Sequence, residues 1–134
     1  MKAIDDSLES IAFPVLLVHP EEGVEPSIDA DVFQTGTRMA LEDGYYAGVE
    51  VFDSASHAFK IRAASELDDL GPAGITRKVR LTFDISEPRP VLFTDLRDSV
   101  AEHPEMVPFE AEVRQTEDFR ELFALISRLY PYEI

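Results

Sequence analysis

Three histidines, His19, His57 and His103, carry the side chains that titrate nearest neutral pH without help from their surroundings. They lie far apart in the chain, and none sits in an HExxH or HxH arrangement, so a metal site built on them requires the fold to gather them. His57 has the most suggestive neighbours. Asp53, Ser54 and Ser56 precede it and supply the residue types of a Ser/His/Asp hydrolytic system. That chemistry needs nucleophile, base and orienting acid at fixed mutual angles, usually from separate elements, whereas Asp and Ser inside one turn bond their own backbone. The expectation is therefore a turn, with no catalytic residue in the chain.

Adjacent carboxylates at Glu21-Glu22 and Asp68-Asp69 have the chemistry to hold a divalent cation or to move a proton. The alternating acids, central glycine and closing glutamate of a calcium loop are missing around both, which leaves solvated loops as the reading. Gly44, Gly48, Gly71 and Gly74 form neither a GxGxxG nor a GxxxxGK[ST] phosphate cradle. Cysteine is absent, which excludes a disulfide framework and any thiolate metal site. No cofactor and no metal are expected.

Tyr45-Tyr46 follows Glu42 and Asp43. Neighbouring residues on a strand face opposite ways, so one ring belongs to the core and the other reaches the surface. An exposed tyrosine ringed by carboxylates would anchor an interface with a basic partner, and Tyr46 is taken for that role. The aromatic C-terminal stretch, Leu129-Tyr130-Pro131-Tyr132-Glu133-Ile134, either docks on the body or serves as a contact.

The residues that must position these groups fall into recognisable segments. Ile4, Leu8 and Ile11 recur at helical spacing with Asp5 and Asp6 in the first turn, predicting a short N-terminal helix. Phe13 to Val18 is an unbroken apolar run that reads as a buried strand ending at His19-Pro20. Glu21 to Ala30 has turn formers and no periodicity and reads as a loop. A strand is preferred from Thr37 to Leu41. Gly48 to Phe52 and Ala58 to Arg62 alternate around the polar turn 53–57 as a β-hairpin, in which Glu50 can pair with Lys60 or Arg62.

A looped stretch is expected through Asp68 to Gly74. Val79, Leu81, Phe83 and Ile85 then alternate with polar residues as a further antiparallel strand. Val91-Leu92-Phe93 is a candidate extended segment, after which Thr94 caps a helix of two turns that stops at Pro104. Thr116 is the expected cap of a last helix, whose Phe119, Leu122, Phe123, Ile126 and Leu129 form one apolar stripe. The fold class is α+β: an antiparallel sheet of four to five strands, with a short N-terminal helix and an amphipathic C-terminal helix packed on it. One domain over residues 1–134 is the economical count, since no repeat or low-complexity tract is visible.

Charge bounds the partners. With 27 acids against 12 bases the net charge is -15 on 134 residues, while 45% hydrophobic residues keep the chain in the globular class. Residues 1–46 hold 10 acids and 2 bases, residues 47–90 hold 7 and 6, and residues 91–134 hold 10 and 4. Such a chain is repelled by phosphate backbones and anionic lipid, so neither nucleic acid nor membrane is an expected partner. The opening MKAIDDSLES has no basic region followed by an apolar one, and a cytoplasmic location is expected.

The leading functional expectation is a small acidic protein-binding domain that neutralises a basic protein, as immunity proteins and nuclease inhibitors do with carboxylates placed where the target expects phosphate. The expected contact residues are Glu21, Glu22, Glu25, Asp29, Asp31, Glu42, Asp43 and Tyr46. An alternative is a small-molecule-binding or enzymatic domain with a pocket between sheet and C-terminal helix, drawing on His57, Arg62, Arg80 and Asp84, although Arg80 and Asp84 fall on the outward side of their strand. A second alternative is a structural subunit of a homo-oligomer.

Overall fold

The computed structural model of the chain describes residues 10–20 and 23–129. The helix expected over residues 4–11 lies outside them, save for its last two positions. In chain order the elements are β1 (Val15–His19), β2 (Gly23–Ser27), α1 (Ala30–Phe33), β3 (Thr35–Thr37), α2 (Arg38–Glu42), β4 (Glu50–Asp53), β5 (His57–Ala73), β6 (Thr76–Ile85) and β7 (Arg89–Pro90). They continue with α3 (Phe93–Glu102), a 3-10 helix over Pro104–Phe109, α4 (Glu110–Arg114) and α5 (Phe119–Leu129).

The class is α+β, and every strand pairing is antiparallel, in the order β2-β1-β4-β5-β6-β3 with β7 beside β5. Seven strands pair, where four or five were expected. The sheet curls because β5 is long: its first residues pair with β4 and the rest with β6.

Central strands are buried on both faces, which is why Phe13 to Val18 shows no alternation in sequence. Val15 and Leu17 join Val51, Phe59, Ile61, Val79, Leu81 and Phe83 in one core. Leu16 points the other way, with Phe52 and Ala58, into a second core. There Leu122 and Ile126 of α5 meet Leu96 and Val100 of α3, Met106 and Val113. The apolar stripe of the last helix thus covers the sheet as its spacing predicts.

Several boundaries differ from expectation, each for a local reason. The stretch read as a loop before Ala30 contains β2, whose Pro26 is tolerated because β2 is an edge strand, where a missing N–H can face away from the ladder. The strand expected over Thr37 to Leu41 is instead helix α2. Thr37 ends β3 and caps α2, its Oγ1 accepting the Ala40 N–H at 3.1 Å. Asp68 to Gly74 is not a loop up to residue 73: β5 runs through it with register shifts between Ile61/Ala63, Glu66/Asp68 and Asp69/Gly71. Each bulge inverts the alternation of faces and so erases the period-two signal.

Helix ends show the same competition. Helix α3 begins at Phe93, without a side-chain cap from Thr94, and ends at His103, which is extended as the residue before Pro104 must be. At the last helix Thr116 is not the cap. Its hydroxyl donates to the Val113 carbonyl at 2.6 Å, closing α4, while Asp118 Oδ1 accepts the Glu121 N–H at 2.9 Å at the start of α5.

Candidate functional site

The turn that carries His57 is a backbone device. Asp53, 2% exposed, accepts the Ala55 and His57 N–H groups on Oδ1, both at 2.9 Å, and the Ala12 N–H on Oδ2 at 3.2 Å. Ser54 Oγ donates to the Ala12 carbonyl at 2.9 Å, so the hydroxyl is engaged away from the imidazole. His57 Nδ1 lies 3.6 Å from Asp53 Oδ1. The carboxylate ties the β4–β5 turn to the segment before β1, and the arrangement offers no activated nucleophile.

Much of the acid expected to meet a partner is engaged within the fold. Glu25 accepts the Tyr45 hydroxyl at 2.8 Å. Asp29 caps α1 through the Val32 N–H at 2.9 Å. Asp31 pairs with Arg80 at 2.9 Å. Glu21 and Glu22 fall outside the described residues. Glu42 and Asp43, at the end of α2, are exposed, and Asp43 supplies only its backbone N–H to the helix end.

Tyr46 is not a surface anchor: it is 8% exposed and packs on Phe83 with ring centroids 5.6 Å apart. Its neighbour Tyr45 is the half-buried ring, stacked on His19 at 4.6 Å and edge-on to Tyr46 at 5.1 Å. Burial, followed by the negative charge of Glu25, pushes the Tyr46 hydroxyl up to about 12.

The groups named for an interior pocket face outward. Arg62 and Asp84 pair at 2.8 Å with more than half of each side chain exposed, and Arg80 holds Asp31. Glu50 stands opposite Lys60 in register, yet its carboxylate is taken by Arg89 of β7. The space between sheet and α5 is filled by core side chains.

A groove of about 420 Å³ opens between α2 and the tip of the β5–β6 hairpin. Arg38, Met39, Glu42, Pro72, Ile75 and Arg77 line it, with Gly74 and Thr76. Ile75 is 92% exposed and Met39 40%. Gly74, at φ 64, makes the sharp reversal that carries Ile75 at the tip. Arg38 grips Glu66 through two nitrogens at 2.9 and 3.0 Å and reaches Asp69 at 3.2 Å, while Arg77 meets Asp69 from the other side at 3.1 Å.

These contacts raise the Arg38 pKa, chiefly through the hydrogen bond to Glu66, and hold Asp69 below the ordinary aspartate range, chiefly through Arg77. Pro72 and Ile75 are hidden in the sequence because the end of β5 reads as a loop, and Arg38 and Met39 because α2 reads as a strand. The available signal was an isoleucine directly after Gly-Pro-Ala-Gly and before an alternating strand. Among the described residues no three His, Cys, Asp or Glu side chains are grouped to hold a metal ion, and no helix is long and apolar enough to cross a membrane. No family model, no curated protein and no solved structure matches this chain.

Proposed function

We propose that this chain is a small acidic protein-binding domain whose partner is a basic protein. The observation that carries the reading is how the cations are used. Arg38, Arg62, Arg77, Arg80, Arg89, Arg97 and Arg114 each lie within ion-pair distance of a carboxylate of the same chain. With 27 acids against 12 bases, such pairing neutralises these arginines and still leaves surplus carboxylates, Glu42 and Asp43 among them, as the larger part of the charge a partner meets. That surface disfavours phosphate backbones and favours a positively charged protein, for which complementary fields raise the association rate by orders of magnitude. Neutralising such a partner, as an immunity or inhibitor protein does, is the form of this function that the charge supports.

The test is affinity isolation on the immobilised chain from the lysate of its source, at about 0.1 M and about 1 M salt, where the Debye length falls from about 10 Å to about 3 Å. A basic protein is expected to be retained at the lower salt, released at the higher, and retained less by a Glu42→Lys/Asp43→Lys variant. Recovery of no basic protein, or recovery indifferent to salt, overturns the proposal.

A further inference from the structure

We infer that the groove between α2 and the β5–β6 tip receives one long cationic side chain, an arginine or a lysine, presented by the basic partner; the inference rests on the binding function proposed above. The groove is built before any ligand arrives. Thr76 Oγ1 accepts the Met39 N–H at 3.0 Å, and Arg38 holds Glu66 and Asp69, so the helix and the hairpin are tied together on two sides. A preformed cleft spares the ordering cost of binding.

Its chemistry selects the occupant. Arg38 and Arg77 line the groove, but Glu66 and Asp69 already offset their charge, which weakens the pull of the two guanidinium groups on an anion. The five charged groups, Arg38, Arg77, Glu42, Glu66 and Asp69, sum to one negative charge, and Glu42 carries it without a partner among the described residues. Met39, Pro72 and Ile75 supply apolar surface beside it. A purely apolar ligand would desolvate Glu42 without compensation. An arginine or lysine side chain satisfies both demands, laying its methylene stem on the apolar residues and its cation against the carboxylate. A second copy of this chain is a poor source of that cation, since each copy carries a net charge of -15 and two copies repel.

The test is a titration of the 15N-labelled full chain with N-acetyl-arginine amide, and in parallel with N-acetyl-citrulline amide, its neutral isostere. Saturable amide shifts are expected at Met39, Glu42, Ile75 and Thr76 with the arginine probe and not with the citrulline probe. Glu42→Gln should weaken binding by about twofold to fivefold, as loss of one exposed ion pair does, and Ile75→Ser should weaken it as well, both variants keeping the wild-type spectrum elsewhere. Equal response to the two probes, or shifts scattered over the acidic surface and unchanged by Glu42→Gln, overturns the inference. The two proposals fail differently. Salt-sensitive capture of a basic protein that ignores both substitutions rejects the groove alone, whereas absence of any such capture by the unaltered chain rejects the binding function and the partner's side chain with it.

Discussion

The Tyr46 hydroxyl occupies the place where a Cβ on residue 36 would stand, so Gly36 and Tyr46 define one another's positions. Gly36 lies on β3 opposite Val79, and Tyr46 closes the core below it. Gly36→Ala is therefore an overpacking change and should destabilise by about 1–3 kcal/mol. Tyr46→Phe removes the colliding oxygen, so the double variant should recover part of that loss. Leu81 Cδ1, 3.0 Å from the same Cβ, keeps the recovery incomplete. Urea denaturation of the two single variants and the double variant measures the coupling, and simple additivity would contradict it.

Burial of the same hydroxyl makes stability depend on alkaline pH. Tyr46 is raised to about 12 from an ordinary 10.0, so the folded state holds its proton more tightly than the unfolded state does. The contribution is fully present below about pH 10 and is lost as pH rises through about 12, a loss of about 2–3 kcal/mol for a shift of this size. Tyr46→Phe should show a shallower decline over that window in denaturation midpoints. The parent and the variant falling in parallel would refute the assignment.

At the hairpin tip the sign is reversed. Asp69 is held below the ordinary aspartate value of 3.8, first by the Arg77 hydrogen bond and then by the Gly71 N–H. Its ion pairs contribute above the ordinary carboxylate range and are lost only as pH falls through the depressed folded value. Carboxyl NMR should find Asp69 titrating below the ordinary aspartate value, and Arg77→Gln should move it upward toward that value. Both groups are exposed, so the change in global stability should be small.

The Asp53 carboxylate should matter far more. Asp53→Ala leaves the Ala12, Ala55 and His57 N–H groups without their acceptor in a buried position, and a loss of about 3 kcal/mol or more is expected. Asp53→Asn keeps one acceptor oxygen and should cost less. Equal losses from the two substitutions, read by thermal or urea unfolding, would show that charge rather than the hydrogen-bonded turn is what the site needs.

What the sequence made legible follows from how locally each feature is encoded. The β4–β5 turn, the alternation of Val79, Leu81 and Phe83, and the stripe of α5 rest on residues close in sequence, and all three stand in the fold. The failures lie where a distant partner decides. Bulges in β5 are imposed by its pairing with β6, Pro26 is acceptable only because β2 is an edge, and Thr37 caps a helix that alternation disguises as a strand. The candidate site suffered most. Whether an acid is committed depends on partners such as Tyr45 for Glu25 and Arg80 for Asp31, which lie 20 and 49 residues away. Tyr45-Tyr46 holds one core ring and one half-buried ring, but in the turn after α2 rather than on a strand, and Tyr46, the ring expected at the surface, is the buried one; Gly36, which it packs against, lies ten positions earlier with nothing to mark the contact.

His103 supplies a last test, because its two ring nitrogens have different partners. The Glu105 N–H donates to Nδ1 at 3.1 Å, which requires that nitrogen to be unprotonated, and Nε2 lies 2.6 Å from the His19 carbonyl, which requires a proton there. The ring, 7% exposed, thereby pins the end of β1 to the junction between α3 and the 3-10 helix. Nitrogen-detected NMR should find the proton on Nε2 and none on Nδ1. His103→Leu removes the partners of the part-buried His19 carbonyl and Glu105 amide, and should lower stability by about 1–3 kcal/mol while speeding hydrogen exchange at the Glu105 amide. The opposite tautomer, or unchanged exchange at Glu105 in the variant, would show that the imidazole does not hold these two elements together.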